Sequence, residues 1–176
     1  FRRVLFRSSH QANSLRSMAL TEFVPLLRLK GAHFFSLQKG AATDEINSLA
    51  GRLDVIDLGS TLDEGTGAFV ETAAVLMNLD LLITCDTAIA HVAGALGVPV
   101  WLALCNVPDW RWLLKGETTP WYPTMRLFRQ TAASDWAPVF EQIETALLKE
   151  FPDLEHKQPD DYHIFTSGFN RLTRTR

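Results

Sequence analysis

The sequence predicts an α/β protein with a doubly wound parallel sheet, in which helices cover both faces. Segments with strand character alternate with segments of helical spacing along most of the chain. The two central strand candidates, DLLITC (80–85) and PVWLALC (99–105), are almost continuously apolar. Such runs are typical of parallel strands that are buried on both faces. Ligands of these sheets bind at the carboxyl ends of the strands, so that edge is where we expect a site.

Each element has its own local signal. Residues 17–29 have apolar side chains at helical spacing, but Pro25 predicts a kink or an early stop. Pro138 lies in the first turn of the last helix, where its missing N–H costs little. Strands are predicted at residues 32–37, 53–59, 80–85, 99–105 and 125–130, and helices at 67–79, 87–97 and 135–151.

Three regions are expected along the chain. Residues 1–8, FRRVLFRS, match the translation of a common short-read sequencing adapter and are interpreted as an assembly artefact. The alternative is a genuine basic strand. On the artefact interpretation, the N-terminal part of the protein is missing. Residues 9–150 are predicted to form the α/β domain, and residues 151–176, with mixed charges and an RLTRTR ending, a C-terminal tail.

Composition excludes several classes of protein. The net charge of -3 gives no basic field for nucleic acid or an anionic membrane. No apolar run approaches the roughly 20 residues that a membrane span needs. Two cysteines, Cys85 and Cys105, are too few for a disulfide scaffold, so a reducing, cytoplasmic location is expected. Cys85 is interpreted as a small apolar filler, because no obvious base accompanies it.

The junction of strand 80–85 with the next helix has the features of an anion site. Thr87 is predicted to be the N-cap, with a hydroxyl that accepts a bond from a first-turn N–H. The first turn carries no acidic side chain, which leaves the positive helix start for an external anion. The small side chain of Ala88 lets an anion come close to the backbone, and His91 lies one turn along the same face. Gly94 is expected to let this helix approach the sheet.

A purely structural interpretation of the same junction remains open. The small residues pack a buried helix equally well, and Asp86 and Thr87 then only cap it. A lone histidine on an apolar helix is more often a core residue than a ligand. Spacing alone does not separate the two interpretations.

The continuation of the chain carries a family resemblance. The segments FFSLQKG (34–40), DTAIAHVAGALGVPVW (86–101), and PDWRW (108–112) with PWYPTMRLFRQ (120–130) resemble the C-terminal half of bacterial GT-B-fold glycosyltransferases. The most similar are those linked to tetratricopeptide repeats, which are related to lipopolysaccharide heptosyltransferases and distantly to protein O-GlcNAc transferases. The resemblance covers about residues 10–148 and implies a Rossmann-like, nucleotide-sugar-binding half of a GT-B fold.

The resemblance implies a set of donor-binding residues. DTAIAH resembles the element that holds the donor diphosphate, and SLQKG a loop that contacts the donor. HQANSLRS (10–17) resembles the remnant of a loop that faces the diphosphate, with His10 and Arg16 as weaker candidates. Trp101, Trp112 and Trp121 are expected to be core residues, and Tyr122 is a further candidate for the core. The donor-binding residues implied are Asp86, Thr87, Ala88, His91, Gln38, Lys39, Asp109, Trp110 and Arg111.

The implied activity is transfer of a sugar from a nucleotide diphosphate sugar to a glycan, lipid-linked glycan or protein acceptor, with inversion. No Asp-X-Asp motif is present, so no metal or cofactor is expected; the helix start, Lys39, His91 and Arg111 would stabilise the leaving diphosphate. The general base is expected on the N-terminal domain, so no catalytic residue is named and this fragment alone is expected to be inactive. The alternatives are a non-catalytic nucleotide-binding or interaction module and, ranked last, a sugar-nucleotide epimerase.

Overall fold

The computed structural model describes residues 2–6, 18–40, 55–65 and 67–156. Its centre is a six-stranded sheet in which every pair of neighbouring strands is parallel. The prediction of an α/β protein built on a parallel sheet is therefore confirmed. The strands are β1 (Arg2–Phe6), β3 (His33–Ser36), β4 (Val55–Asp57), β5 (Leu81–Cys85), β6 (Val100–Leu104) and β7 (Met125–Arg129). Their order across the sheet is β4-β3-β1-β5-β6-β7.

Four α-helices accompany the sheet in the described residues, together with two short 3-10 turns and a small second sheet. The 3-10 turns cover Leu20–Phe23 and Trp110–Trp112. In the second sheet β2 (Leu29–Lys30) pairs antiparallel with β8 (Glu155–His156). The helices are α1 (Val24–Leu27), α2 (Val70–Leu76), α3 (Ala88–Ala95) and α4 (Ala137–Glu150).

The core has two halves, one on each face of the sheet. Alternation along the strands divides them: Leu81, Ile83 and Cys85 of β5 face α1 and α4, while Leu82 faces α2 and α3. All five residues of β5 and of β6 are buried, as the apolar runs predict. Burial on both faces holds β5 and β6 rigidly at the centre, so the residues that follow their carboxyl ends have a fixed base.

Helix boundaries differ from the predicted ones where backbone conformation intervenes. The helix predicted from residue 67 begins only at Val70, because Phe69 at its N-cap adopts a left-handed conformation with φ 65°. Pro25 does not kink a long helix: a 3-10 turn leads into the short α1, which has Pro25 in its first turn. A proline there lacks only an N–H that the helix would leave unbonded.

The structure describes part of each of the two predicted terminal regions, residues 1–8 and 151–176. Arg2–Phe6 forms β1 between β3 and β5. A strand conformation does not reveal where these residues come from, so their interpretation as an adapter stays a prediction. In the segment predicted as a tail, Leu154 is buried and Glu155–His156 forms β8. Residues 157–176 lie outside the described residues.

Within the described ranges, no helix combines the length and the apolar character that crossing a bilayer requires.

Candidate functional site

The predicted site residues follow the carboxyl ends of three strands. Gln38 and Lys39 follow β3, Asp86 and Thr87 follow β5, and the loop with Asp109 follows β6. Because these strands are parallel, all of these residues lie at one edge of the sheet. The expectation that Thr87 and Lys39 share an edge is therefore confirmed.

The start of α3 is open, but Thr87 does not cap it as predicted. Thr87 occupies the N-cap position with an extended backbone, φ −141° and ψ 167°, yet its side chain makes no capping bond. Its hydroxyl instead donates to the Cys85 carbonyl at 3.3 Å and lies 3.4 Å from the Thr84 hydroxyl. The hydroxyl turns back toward the strand, and no acidic residue occupies the first turn of the helix. The Ala90 N–H donates to the Thr87 carbonyl at 3.1 Å, so among the described residues the N–H groups of Ala88 and Ile89 are left for another acceptor.

His91 projects from α3 into a cluster of aromatic side chains. Its ring stacks on Trp112, with centroids 5.2 Å apart and planes 21° apart. Its Nδ1 lies 3.0 Å from the phenol oxygen of Tyr122, and its Nε2 lies 3.9 Å from Oδ1 of the buried Asp86. The imidazole is about a third exposed. It is therefore held on three sides without being sealed in the core.

Gly94 makes room for this cluster rather than for the sheet. A Cβ atom at Gly94 would lie 2.5 Å from Cγ of Tyr122. The expectation that Gly94 lets α3 approach the sheet is wrong, because the close neighbour is an aromatic ring from the 120–124 segment.

Trp112 carries a buried polar atom that needs an acceptor. Its side chain is fully buried, as the sequence predicts, and stacks on His91. In the part of the chain that the structure describes, its indole N–H has no hydrogen-bond partner. Buried donors without partners are rare and costly, so a ligand or water is expected to accept this bond.

The loop after β6 is stabilised by contacts between its own residues. Asp109 accepts a bond from the Arg111 backbone N–H at 3.1 Å, and its carboxylate pairs with the Arg111 guanidinium at 3.3 Å. The guanidinium also lies 5.7 Å from the ring centre of Trp110, which is 70% exposed. Asp109, Trp110 and Arg111 thus form one local unit at the sheet edge.

Trp121 is exposed, which corrects its prediction as a core residue. It is 54% exposed, and its indole N–H donates to the Arg111 carbonyl at 3.1 Å. Its ring meets Trp110 edge to face at 6.2 Å. The alternation explains the error: segments 110–112 and 121–122 each present one tryptophan outward and one aromatic ring, Trp112 or Tyr122, inward. Trp101 is buried, as predicted.

Arg129 fixes the same loop from β7. Its guanidinium donates to the backbone carbonyls of Trp112 at 2.5 Å, Leu113 at 3.0 Å and Gly116 at 2.9 Å. Burial lowers the pKa of Arg129. Leu113 has a positive φ of 58°, and Arg129 bonds to its carbonyl. The loop that carries Trp110 and Trp112 therefore depends on a side chain 17 residues away.

Lys39 and Gln38 are engaged by the protein itself. The Lys39 ammonium donates to the Leu62 carbonyl and lies 3.9 Å from the Asp63 carboxylate. Gln38 is buried, and its amide donates to the Lys39 carbonyl at 2.9 Å. These contacts tie the loop after β3 to residues 62–63. The other basic candidates, His10 and Arg16, lie outside the described residues.

Asp63 is the centre of a hydrogen-bond network at the start of α2. Its Oδ1 accepts from the backbone N–H groups of Glu71 at 2.7 Å and Thr72 at 3.1 Å, and its Oδ2 accepts from the Thr72 hydroxyl at 2.5 Å. Burial acts to raise the pKa of Asp63, but the Thr72 and Glu71 bonds and Lys39 outweigh it, so the pKa lies below its ordinary value. The carboxylate therefore stays charged beside Lys39.

Across residues 18–40, 55–65 and 67–156, no three His, Cys, Asp or Glu side chains are grouped as a metal site would need. Cys85 and Cys105 are both buried, and within the described residues neither takes part in a disulfide.

Sequence reasoning missed the partners of His91. Tyr122 was considered only as a possible core residue, and Trp112 only as a core residue. They come from a segment 21 to 31 residues further along the chain, so helical spacing contains no signal for them. Asp109 as the cap of the Trp110–Trp112 turn could have been predicted, since aspartate commonly accepts a bond from the N–H two residues on.

Comparison with known proteins relates part of the chain to a longer protein. No protein-family model matches the chain. The chain is 32% identical to Protein FlbA of Caulobacter vibrioides over 130 residues, which make up 70% of this chain and 20% of FlbA. The chain thus spans about a fifth of the length of the curated relative that it matches. The similarity relates this α/β domain to one segment of a much longer protein.

Proposed function

We propose that this chain is the donor-binding domain of a GT-B-type glycosyltransferase, which moves a sugar from a nucleotide diphosphate sugar to an acceptor. The doubly wound, Rossmann-like architecture of that class is supported by the parallel sheet and by core clusters on both of its faces. The resemblance of DTAIAH and PDWRW to the heptosyltransferase-like group gives the substrate class. The cytoplasm, where nucleotide sugars are made, is the corresponding location.

One observation carries the proposal. The indole N–H of Trp112 has no partner within the described residues, and its ring is stacked against His91. His91 lies one turn into a helix whose start has no acidic residue and no side-chain cap. Three kinds of donor, namely the indole N–H, the imidazole and the amides of Ala88 and Ile89, therefore lie in one neighbourhood without a strong acceptor among the described residues. A diphosphate offers several acceptor oxygens and a negative charge that the helix start favours.

The chemistry that follows is an inverting displacement. An acceptor oxygen attacks the anomeric carbon, the bond from that carbon to the diphosphate oxygen breaks, and a base takes the acceptor proton. Negative charge grows on the leaving diphosphate, and donors fixed at the edge of the sheet stabilise it without reorganising. Arg111 is held by Asp109 and can add a positive charge at the same edge.

A second function is favoured by an exposed apolar surface. Five large side chains along the loop after β6 are more than half exposed. A non-catalytic nucleotide-binding or interaction module would use such a surface for a protein contact. These side chains are Val107, Trp110, Leu113, Leu114 and Trp121.

Calorimetry with the 176-residue chain tests the first proposal. ADP, CDP, GDP, UDP and dTDP are titrated with and without EDTA, and at least one should bind with unchanged affinity in EDTA. His91→Gln should weaken that binding about 10- to 100-fold, the range for a charge-assisted hydrogen bond. Absence of binding by all five nucleotides would exclude a donor-binding domain and favour the interaction module.

A matched control separates local from general effects. His33 is exposed at the amino end of β3, on the opposite edge of the sheet. His33→Gln removes the same imidazole but should leave nucleotide affinity as in the wild-type protein. Equal losses in the two variants would place the nucleotide elsewhere.

A further inference from the structure

The contacts of His91 determine which of its two nitrogens carries the proton. Nε2 faces the Asp86 carboxylate at 3.9 Å, and Nδ1 faces the Tyr122 hydroxyl at 3.0 Å. A neutral imidazole has one N–H donor and one lone pair. A lone pair on Nε2 would point its negative charge toward the carboxylate, whereas an N–H there is attracted by it. Asp86 thus favours the proton on Nε2.

The Tyr122 hydroxyl has the complementary role. With the proton on Nε2, Nδ1 presents its lone pair, and the hydroxyl at 3.0 Å must be the donor. Since a tyrosine hydroxyl can rotate to donate or accept, it adapts to the tautomer that Asp86 favours. Gly94 admits the ring, because any larger residue there would overlap Tyr122.

The Nε2–H remains available to a ligand. Its distance of 3.9 Å to the carboxylate exceeds the range of about 2.7–3.2 Å for a hydrogen bond. The carboxylate therefore favours the Nε2–H tautomer without accepting a hydrogen bond from that N–H. Stacking on Trp112 limits tilting of the imidazole, so the direction of this N–H is also fixed.

We propose that Tyr122 is a positioning residue: its hydroxyl donates to Nδ1 of His91 and holds Nε2–H as a directed donor for the diphosphate. The role of Nε2–H toward a diphosphate rests on the proposed function, whereas the hydrogen bond and the tautomer do not. The same arrangement explains why a histidine on an apolar helix stays partly exposed, since its core-side nitrogen already has its partner.

Nitrogen-15 NMR of the histidine side chains tests this in the 176-residue chain without ligand. Spectra are recorded at alkaline pH so that imidazoles are neutral, and His91 is assigned with His91→Gln. Wild-type protein should show Nε2 protonated and Nδ1 as a hydrogen-bonded acceptor, and Tyr122→Phe should lose the hydrogen-bonded signature of Nδ1. A wild-type Nδ1–H tautomer, or an Nδ1 resonance unchanged in Tyr122→Phe, would overturn the proposal.

Affinity for inorganic pyrophosphate supplies the second readout. Tyr122→Phe should weaken it about 3- to 10-fold, the equivalent of one neutral hydrogen bond. Thr124→Val is the matched control, because it removes another hydroxyl of the same segment, which donates to the Val98 carbonyl at 2.9 Å. It should change neither the Nδ1 resonance nor the affinity.

The two readouts separate the two proposals. The expected tautomer with no binding of pyrophosphate or any nucleotide would reject the proposed function and, with it, the positioning role. Normal binding in Tyr122→Phe, alongside the expected tautomer, would reject the positioning role alone.

Discussion

Gly94 and Tyr122 are in such close contact that a single methyl group does not fit between them. A Cβ at Gly94 would lie 2.5 Å from Cγ and 2.7 Å from Cδ1 of the Tyr122 ring. The contact joins α3 to a segment some 28 residues further along the chain. It determines where the Tyr122 hydroxyl, and therefore His91, can lie.

Gly94→Ala should destabilise the protein despite its helical position. Replacing a helical glycine by alanine ordinarily stabilises by about 0.5–1 kcal/mol. Overpacking against the Tyr122 ring should reverse the sign and cost about 1–3 kcal/mol. Urea unfolding measures the difference. Gly65→Ala is the control, because no described residue lies within 4 Å of a Cβ there. A Gly94→Ala protein that is more stable than wild type would mean that the ring moves aside freely.

Arg129 and Arg126 of β7 should differ sharply in their contributions to stability. Arg129→Met removes the donor to three backbone carbonyls and should cost about 2–4 kcal/mol, because those carbonyls lose a charged partner. Arg126→Met breaks exposed ion pairs with Glu117 and Glu150 and should cost about 1 kcal/mol or less. Urea unfolding followed by tryptophan emission measures both effects, since the Arg129 loop carries Trp110 and Trp112. Equal losses would show that the carbonyl contacts do not hold the loop.

The elements that local pattern defines were predictable. Strands β5 and β6 were expected from continuous apolar runs, and α3 from small and apolar residues between Thr87 and Gly97. The start of α2 was not predictable, because nothing in the Phe69 side chain indicates the left-handed backbone conformation that this residue adopts. Helical spacing identifies a helix, but backbone conformations at its ends depend on the surrounding structure.

The site was only partly predictable for a related reason. Asp86, Thr87 and His91 lie together because they follow one strand. Whether a basic residue faces a ligand depends on competing partners, and Lys39 has them in the Leu62 carbonyl and Asp63, 23 and 24 residues away. Nothing in SLQKG indicates those partners.

Asp63 should make stability depend on pH in the acid range. Its pKa in the folded protein is below the ordinary value of 3.8, because hydrogen bonds from Thr72 and Glu71 outweigh burial. A group with a lowered folded pKa contributes stability that is present above the unfolded pKa and lost as the pH falls through the folded one. Asp63→Asn should therefore be less stable at pH 7. Asparagine suits this position because it tolerates the positive φ of 57°.

The stability difference between wild type and Asp63→Asn at acid pH is the control for this prediction. As the pH falls below the ordinary value of 3.8 and through the lowered pKa of folded Asp63, the wild-type carboxyl takes up its proton, so the difference between the two proteins should shrink. Urea unfolding at closely spaced pH values measures this. A difference that is constant from neutral to strongly acid pH would show that the amide disturbs the network sterically and that the charge contributes nothing.

Thr87 provides the sharpest test of the start of α3 as the anion site. Because its hydroxyl donates to the Cys85 carbonyl and does not cap the helix, Thr87→Val leaves the first-turn N–H groups as they are. We expect pyrophosphate affinity to stay within about 2-fold of wild type and stability to fall by about 1 kcal/mol for one lost hydrogen bond.

Thr87→Asp keeps a good N-cap residue but places a negative charge at the positive helix end. The variant should remain folded and bind pyrophosphate at least about 10-fold more weakly, because the Asp carboxylate repels the anion and occupies the same N–H groups. Calorimetry and thermal melts of both variants measure these effects. Wild-type pyrophosphate affinity in a folded Thr87→Asp protein would mean that Asp86, Thr87 and Ala88 serve only the packing of α3, and that any diphosphate binds elsewhere.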